Sequence, residues 1–388
     1  MKVLSAITYE IDVAEVAVAE VLEQLNIKEN LMASSFGFIT CYAEFIETGV
    51  VAAICAALPF DVLGITTLAS ATADACDYLA LTVTVYTGDD VKFSCAHTGS
   101  LSDKQKEPIA EAYQAALARL SEPPVMMMVV APLINHVGGE KLLEILDEVT
   151  GGLPVFGTLA IDNTQDYHLT KTIFNGVASR TSLALVLISG AVKPRFFIKA
   201  LSEENAQKQK AIITDSTGNV LKAVNDVSFM EYLGTLGMHA GEREVEGLNT
   251  IPILVNYNDG TPPAIRAIYL VTEEGHAVCG GSMPLGSTLA IGSITHDDVI
   301  DAAEELAADI KAALTQSGAS GVMMFPCLSR ALVLGPNREG EMRTVMKGLN
   351  GALPFVFAYS GGEICPVSGK GGELVNRFHN FTLICCLM

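Results

Sequence analysis

Tryptophan is absent from the 388 residues, aromatic residues make up only 6% of them, and basic residues are scarce. The 24 Lys and Arg stand against 44 Asp and Glu, which gives a formal net charge of −20, and no segment concentrates the basic residues. Such a chain repels a phosphate polyanion or an anionic membrane surface. We therefore expect no nucleic-acid partner, and a core built mainly from aliphatic side chains.

Long apolar runs are also missing. The longest uncharged stretches, such as residues 277–295, are rich in Gly, Ser, Thr and Pro, whereas a membrane-spanning helix needs roughly 20 apolar residues. Residues 1–4 lead directly into an alternating pattern without the apolar core of a signal peptide. The nine cysteines are odd in number and include no repeated C-x-x-C pair, as expected of free buried thiols in a reducing compartment. We expect a cytoplasmic protein without membrane insertion.

The order of apolar runs predicts an α+β fold with mixed, mostly antiparallel sheets covered by helices, because strands outnumber simple βαβ units. A strand–helix–strand–hairpin unit recurs three times, each time with a Leu-Pro break that begins at Leu58, Leu153 or Leu353. Residues 79–96 are interpreted as one of its hairpins. The most polar run of the chain, near residues 203–210, predicts a boundary between two domains, 1–205 and 206–388.

Four polar residues stand at the ends of apolar strands near the carboxyl end of the sequence: Cys327, Arg330, Glu363 and His379. Loops and strand ends carried by a rigid sheet commonly present functional groups. Arg330 is suited to hold a carboxylate and Glu363 an ammonium group, so together they suit an amino acid or a similar zwitterion. The alternative is that Arg330 and Glu363 form a structural ion pair with each other.

Other interpretations of the same residues stay open. Cys327, His379 and Asn380 occur in the order of papain-like thiol enzymes, which makes a thiol hydrolase an alternative, although local protease signatures are missing. His379 is also a candidate metal or haem ligand, and otherwise a hydrogen-bonded histidine at a strand edge. Gly280 and Gly281 are either an anion-binding backbone segment or a simple turn. The common nucleotide-binding and zinc-protease motifs do not occur.

The carboxyl-terminal motifs resemble those of the FIST sensory domain. The resemblance rests on an apolar strand followed by Cys327-x-x-Arg330, on Tyr359-Ser360-Gly361-Gly362-Glu363-Ile364-Cys365-Pro366, and on His379-Asn380-Phe381-Thr382. Segments nearer the amino terminus are similar too, and fall in the family's order: 63–66, 154–157, 174–176 and 214–220. An extra glycine before Glu363, and Gly157-Thr158 in place of a Gly-Gly pair, depart from the family pattern and affect the expected pocket shape.

This resemblance implies an intracellular sensor that binds small molecules such as amino acids; some relatives bind haem and sense nitric oxide. The implied ligand-binding residues are Cys327, Arg330, Tyr359, Glu363, His379 and Asn380. We expect a sensor rather than an enzyme. Because no output domain is evident, we expect it to stand alone and to signal through a separate protein. No cofactor is expected, with haem as the alternative.

Overall fold

The computed structural model describes residues 1–101, 105–133, 138–164, 167–201, 203–208, 210–238, 248 and 250–388. Up to residue 201 the strands are β1 (Lys2–Thr8), β2 (Ser34–Cys41), β3 (Val62–Thr66), β4 (Ser70–Ala71), β5 (Cys76–Asp77), β6 (Leu81–Gly88), β7 (Val91–His97), β8 (Pro124–Ala131), β9 (Val155–Leu159), β10 (Thr172–Phe174), β11 (Val177–Ser179), β12 (Ala184–Gly190) and β13 (Arg195–Lys199). The helices are α1 (Ala14–Leu25), α2 (Ile27–Asn30), α3 (Glu44–Glu47), α4 (Val50–Ala57), α5 (Lys106–Leu117) and α6 (Gly139–Thr150).

Beyond residue 201 the strands are β14 (Ala211–Thr217), β15 (Val220–Val224), β16 (Val227–Ser228), β17 (Ile253–Asn256), β18 (Ala264–Arg266), β19 (Ile268–Val271), β20 (Ala277–Cys279), β21 (Thr288–Ile291), β22 (Val322–Pro326), β23 (Phe355–Ala358), β24 (Glu363–Ser368), β25 (Leu374–His379) and β26 (Leu383–Leu387). The helices are α7 (Phe229–Thr235), α8 (His296–Ser317), α9 (Leu328–Leu334) and α10 (Gly340–Leu349), with 3₁₀ turns at Glu203–Asn205 and Gly335–Asn337.

Three six-stranded sheets and an eight-stranded sheet hold these strands. The first sheet has the order β1-β6-β2-β3-β10-β11, the second β25-β24-β9-β8-β12-β7, and the third β13-β26-β22-β23-β4-β5. Each contains one parallel pair, β2 with β3, β8 with β9, or β22 with β23, while its other pairs are antiparallel. The predicted α+β class with mostly antiparallel sheets is confirmed. The predicted duplication stays a prediction, although the three sheets share this pairing order.

The fourth sheet, β18-β17-β21-β14-β15-β20-β19 with β16 beside β15, is formed by residues between β13 and α8. The chain segments before and after this fourth sheet pair with each other: β13 pairs with β26, and β9 pairs with β24. Strands from both sides of the expected 205/206 division therefore lie in common sheets. The division itself stays a prediction.

The predicted hairpin over residues 79–96 is wrong. The strand β6 pairs with β1 and β2 in the first sheet, whereas β7 pairs with β12 in the second. A polar turn between two alternating runs indicates that the chain reverses, but it does not identify the partner of each strand. Here the turn carries the chain from one sheet to the next.

The aromatic side chains Phe38, Phe156 and Phe325 mark where the three sheets meet. They come from β2, β9 and β22, and the ring of Phe325 lies 5.7 Å from that of Phe38 and 5.5 Å from that of Phe156, centroid to centroid. All three side chains are buried in one apolar cluster. This packing fixes the end of β22, from which the chain passes directly into Cys327. In the described ranges, no helix is both long and apolar enough to cross a membrane.

Candidate functional site

Glu363 is the first residue of β24, and its carboxyl group lies inside the protein. Its backbone is in register with Thr158 of β9 and with His379 of β25, and the residue has no solvent-exposed surface. One carboxyl oxygen lies 2.7 Å from the hydroxyl of Ser360 and the other accepts a hydrogen bond from the hydroxyl of Thr382 at 2.8 Å. None of the described residues forms a salt bridge with this carboxyl group.

Burial raises the pKa of Glu363 to about 8, against the opposing hydrogen bonds from Ser360 and Thr382. The hydrogen-bond geometry fits a protonated carboxyl group. Ser360 Oγ also lies 3.2 Å from the carbonyl oxygen of Pro326, and its single proton can be donated to only one of the two oxygens. When the hydroxyl donates to Pro326, a protonated Glu363 donates to Ser360 Oγ. The group can therefore hold a proton, or pair with a cation, near neutral pH.

Cys327 lies next to this carboxyl group, between β22 and α9. Its backbone N–H donates to the carbonyl of Thr382 at 2.9 Å, and its backbone forms a bridge with Ser360. Burial, followed by the neighbouring Glu363, raises the pKa of the Cys327 thiol well above its usual range. A thiol acts as a nucleophile through its thiolate, so this environment disfavours covalent catalysis.

Arg330 does not form the alternative ion pair with Glu363. It lies in α9 and contacts Glu341 of α10, with Nε and Nη2 at 2.8 and 2.6 Å from Glu341 Oε1. Its Nη1 and Nη2 also donate to the carbonyls of Phe381 and Val299. The guanidinium group is thus occupied by internal partners, and the carboxylate that sequence reasoning missed is Glu341. Its spacing was a usable signal, because Glu341 precedes the buried Val345 by four residues on the inner face of α10.

Tyr359 supports the same ion pair. Its hydroxyl lies 3.1 Å from Glu341 Oε2 and 3.2 Å from the carbonyl of Arg338, and its side chain is fully buried. Tyr359 and Arg330 thus lie together on Glu341, while Glu363 and Cys327 form a separate group at the ends of β22 and β24.

His379 is directed toward a backbone partner. Its Nε2 lies 3.2 Å from the carbonyl of Cys365, so this nitrogen donates, and burial lowers the pKa of the imidazole to about 3, aided by the nearby Arg266 and Arg377. The side chain is therefore neutral, and no hydrogen bond joins it to Cys327 in the part of the chain that is described. The described residues also contain no cluster of three or more potential metal ligands.

Asn380 joins the Glu363 group to the fourth sheet through Tyr269, which sequence reasoning missed. Its Nδ2 donates to the hydroxyl of Tyr269 at 3.2 Å, and that hydroxyl donates to the carbonyl of Gly361 at 2.9 Å. Burial raises the pKa of the Tyr269 hydroxyl, and Cys327 and Glu363 raise it further. The sequence offers no signal for Tyr269, because its contact depends on how two sheets pack.

A second polar cluster lies where α6 and β25 meet the fourth sheet. Arg266 is fully buried, contacts Glu140 at 2.5 Å and donates to the carbonyl of Phe378 at 2.8 Å. Arg377 pairs with Asp259 nearby, and a cleft of about 330 Å³ opens beside these residues. This cluster joins the fourth sheet to the second sheet.

Comparison with known families finds two adjacent matches. The FIST N domain matches residues 35–227 and the FIST C domain matches residues 228–366. No curated protein matches the chain. Among solved structures, one described as "Cyanuric acid hydrolase: evolutionary innovation by structural concatenation" is 8% identical, with a TM-score of 0.32 over 100% of this chain and 98% of that one. This likeness is too distant to support an argument.

Proposed function

Because the chain belongs to the FIST family, whose members are sensory domains of signal transduction, we propose that it binds a small amine-bearing metabolite at Glu363 and passes the signal to a separate protein. Amino acids are the favoured class. All nine cysteines are free, which suits a reducing cytoplasm. In this proposal the protein is a receptor and not an enzyme.

The observation that carries the proposal is the Glu363 carboxyl group, which is buried without a salt bridge to any described residue. Removing a carboxyl group from water is costly unless it is protonated or paired. A ligand ammonium group supplies the missing positive charge and donates hydrogen bonds to the carboxylate. The hydroxyl groups of Ser360 and Thr382 contact this carboxyl group, and each can donate and accept hydrogen bonds.

The amine carries more of the proposed recognition than the ligand's acidic group. Arg330, expected to hold a ligand carboxylate, is engaged by Glu341 and two carbonyls. Arg330 and Tyr359 instead support the wall of the site from behind, while Cys327 and Asn380 line it. His379 fixes β25 to β24 beside Glu363. We therefore expect decarboxylated amines to bind with an affinity similar to that of the matching amino acids.

A thermal-shift screen tests this function with amino acids, their decarboxylated amines and small organic acids as probes. A ligand at 100 times its dissociation constant adds about 2.7 kcal/mol to the unfolding free energy. The variant Glu363→Gln should lose the response to amines. Glu373→Gln, an exposed change in the turn before β25, should retain it. An amine response that is equal in wild type and Glu363→Gln would place the binding site elsewhere.

A further inference from the structure

The polar groups of the Glu363 site are closed off from solvent. Glu363 and Asn380 have no exposed surface and Cys327 is only 3% exposed. A ligand can reach them only if a covering side chain moves. Among the described residues that contact this group, Tyr269 differs from the others because 38% of its surface is exposed while its hydroxyl lies inside the site. It therefore spans from the site to solvent.

The backbone at Tyr269 places this side chain out of the regular pattern of its sheet. Ile268 pairs with Cys279 and Leu270 pairs with Val278, so two steps along β19 match one step along β20. Tyr269 is the extra residue of a β-bulge. Bulges commonly occur beside functional sites, where they redirect a side chain that regular pairing would hold elsewhere.

The contacts of the Tyr269 hydroxyl hold it in this place without burying its whole ring. The hydroxyl donates to Gly361, two residues before Glu363, and accepts from Asn380. A typical hydrogen bond shifts an equilibrium only about fivefold. Two such bonds are strong enough to keep the site closed most of the time, and weak enough for a ligand to replace.

We propose that Tyr269 is the gate of the Glu363 site: its hydroxyl closes the site in the free protein, and a ligand's polar group displaces it. The identity of the ligand rests on the proposed function, whereas the closure of the site by Tyr269 does not depend on it. Displacement of Tyr269 moves the bulge of β19, so the fourth sheet receives the signal first. The gate thereby links occupation of a buried site to a part of the molecule that a partner can contact.

Alkylation of Cys327 in the full-length protein tests the closure without any ligand. We expect Tyr269→Ala to speed modification of Cys327 by iodoacetamide at least about tenfold at fixed pH, because two hydrogen bonds and a covering ring are lost. Tyr269→Phe should give a smaller increase, since the ring remains. Leu270→Ala, the exposed neighbour on the same strand, is the matched control and should leave the rate unchanged.

Two other cysteines separate local opening from unfolding, with each site followed by peptide mass spectrometry. Cys385 and Cys386 lie in the core strand β26 without exposed surface. Both cysteines should stay unmodified in every variant. If they react in Tyr269→Ala, that variant is unfolding, and the comparison is then made with Tyr269→Phe, which keeps the ring. An unchanged Cys327 rate in both Tyr269 variants would overturn the gate. A loss of amine binding in Glu363→Gln would still support the proposed function in that case, so the two proposals can fail separately.

Discussion

Arg330 and Glu341 form an ion pair in which the side chains are 1% and 0% exposed, with Nη2 and Oε1 2.6 Å apart. The pair joins α9 to α10 directly behind the strand ends that carry Cys327 and Glu363. Two further carbonyls and the Tyr359 hydroxyl contact it. The guanidinium group is thus held by internal partners from α10, α8 and the turn before β26.

The change Glu341→Gln should lower the unfolding free energy by about 3 kcal/mol, because it leaves the Arg330 charge buried and uncompensated. The urea midpoint measures this loss. The double variant Arg330→Met with Glu341→Leu removes both charges and should recover part of the stability. If Glu341→Gln costs less than about 0.5 kcal/mol, the amount usual for a surface change, the pair is not buried as described.

Glu363 should make stability fall as the pH rises from about 4.5 to about 8. Its pKa is about 8 in the folded protein against 4.5 when exposed, so between these values the folded state holds a proton that the unfolded state has released. His379, with a pKa lowered from 6.5 to about 3, acts in the opposite sense below pH 6.5. Between pH 6.5 and 8 the Glu363 effect is therefore not opposed by His379, and it reaches about 1.4 kcal/mol per pH unit at most.

Urea unfolding of wild type and Glu363→Gln at several pH values measures this slope. The variant has no proton to release, so its stability should change less over that range. Glu373→Gln, the exposed control, should follow wild type. Parallel pH profiles for wild type and Glu363→Gln would mean that the carboxyl group titrates normally.

Gly362 should not tolerate a side chain. Its φ is +153°, and a Cβ atom there would lie 2.3 Å from Cζ of Phe378, whose ring is fully buried. Overpacking of this kind usually costs about 1 to 3 kcal/mol, in addition to backbone strain. Gly362→Ala should therefore destabilise the protein more than Gly372→Ala, where φ is +83° but nothing lies within 4 Å. Equal urea midpoints for the two variants would contradict the ring contact.

Local sequence patterns indicated where individual strands and helices begin and end. The alternating pattern that follows the first residues forms β1 at Lys2–Thr8, and α8 begins where Thr295 and Asp298 form a capping box. The placement of Cys327 and Glu363 close together also followed from strand ends. Partner choice did not follow, because it depends on packing between distant segments.

Two residues illustrate this limit. The sequence suggested Glu363 as the ion-pair partner of Arg330, whereas the partner in the fold is Glu341, on the inner face of α10. Tyr269 reaches the site through a bulge, and the position of that bulge depends on how β19 pairs with β20. Long-range contacts of this kind are specified by the assembled sheets rather than by the local sequence.

The ion pair between Arg266 and Glu140 should contribute strongly to the packing of the fourth sheet against the second. Arg266 has no exposed surface and lies on β18, while Glu140 lies in the first turn of α6. Glu140→Gln leaves that guanidinium charge unpaired, so we expect a loss of about 3 kcal/mol or more in urea unfolding. Glu144→Gln, one turn further along the same helix with its side chain 57% exposed, should cost less than about 1 kcal/mol. Similar losses in the two variants would show that Glu140 is solvated, and that the sheets are held together by their apolar contacts alone.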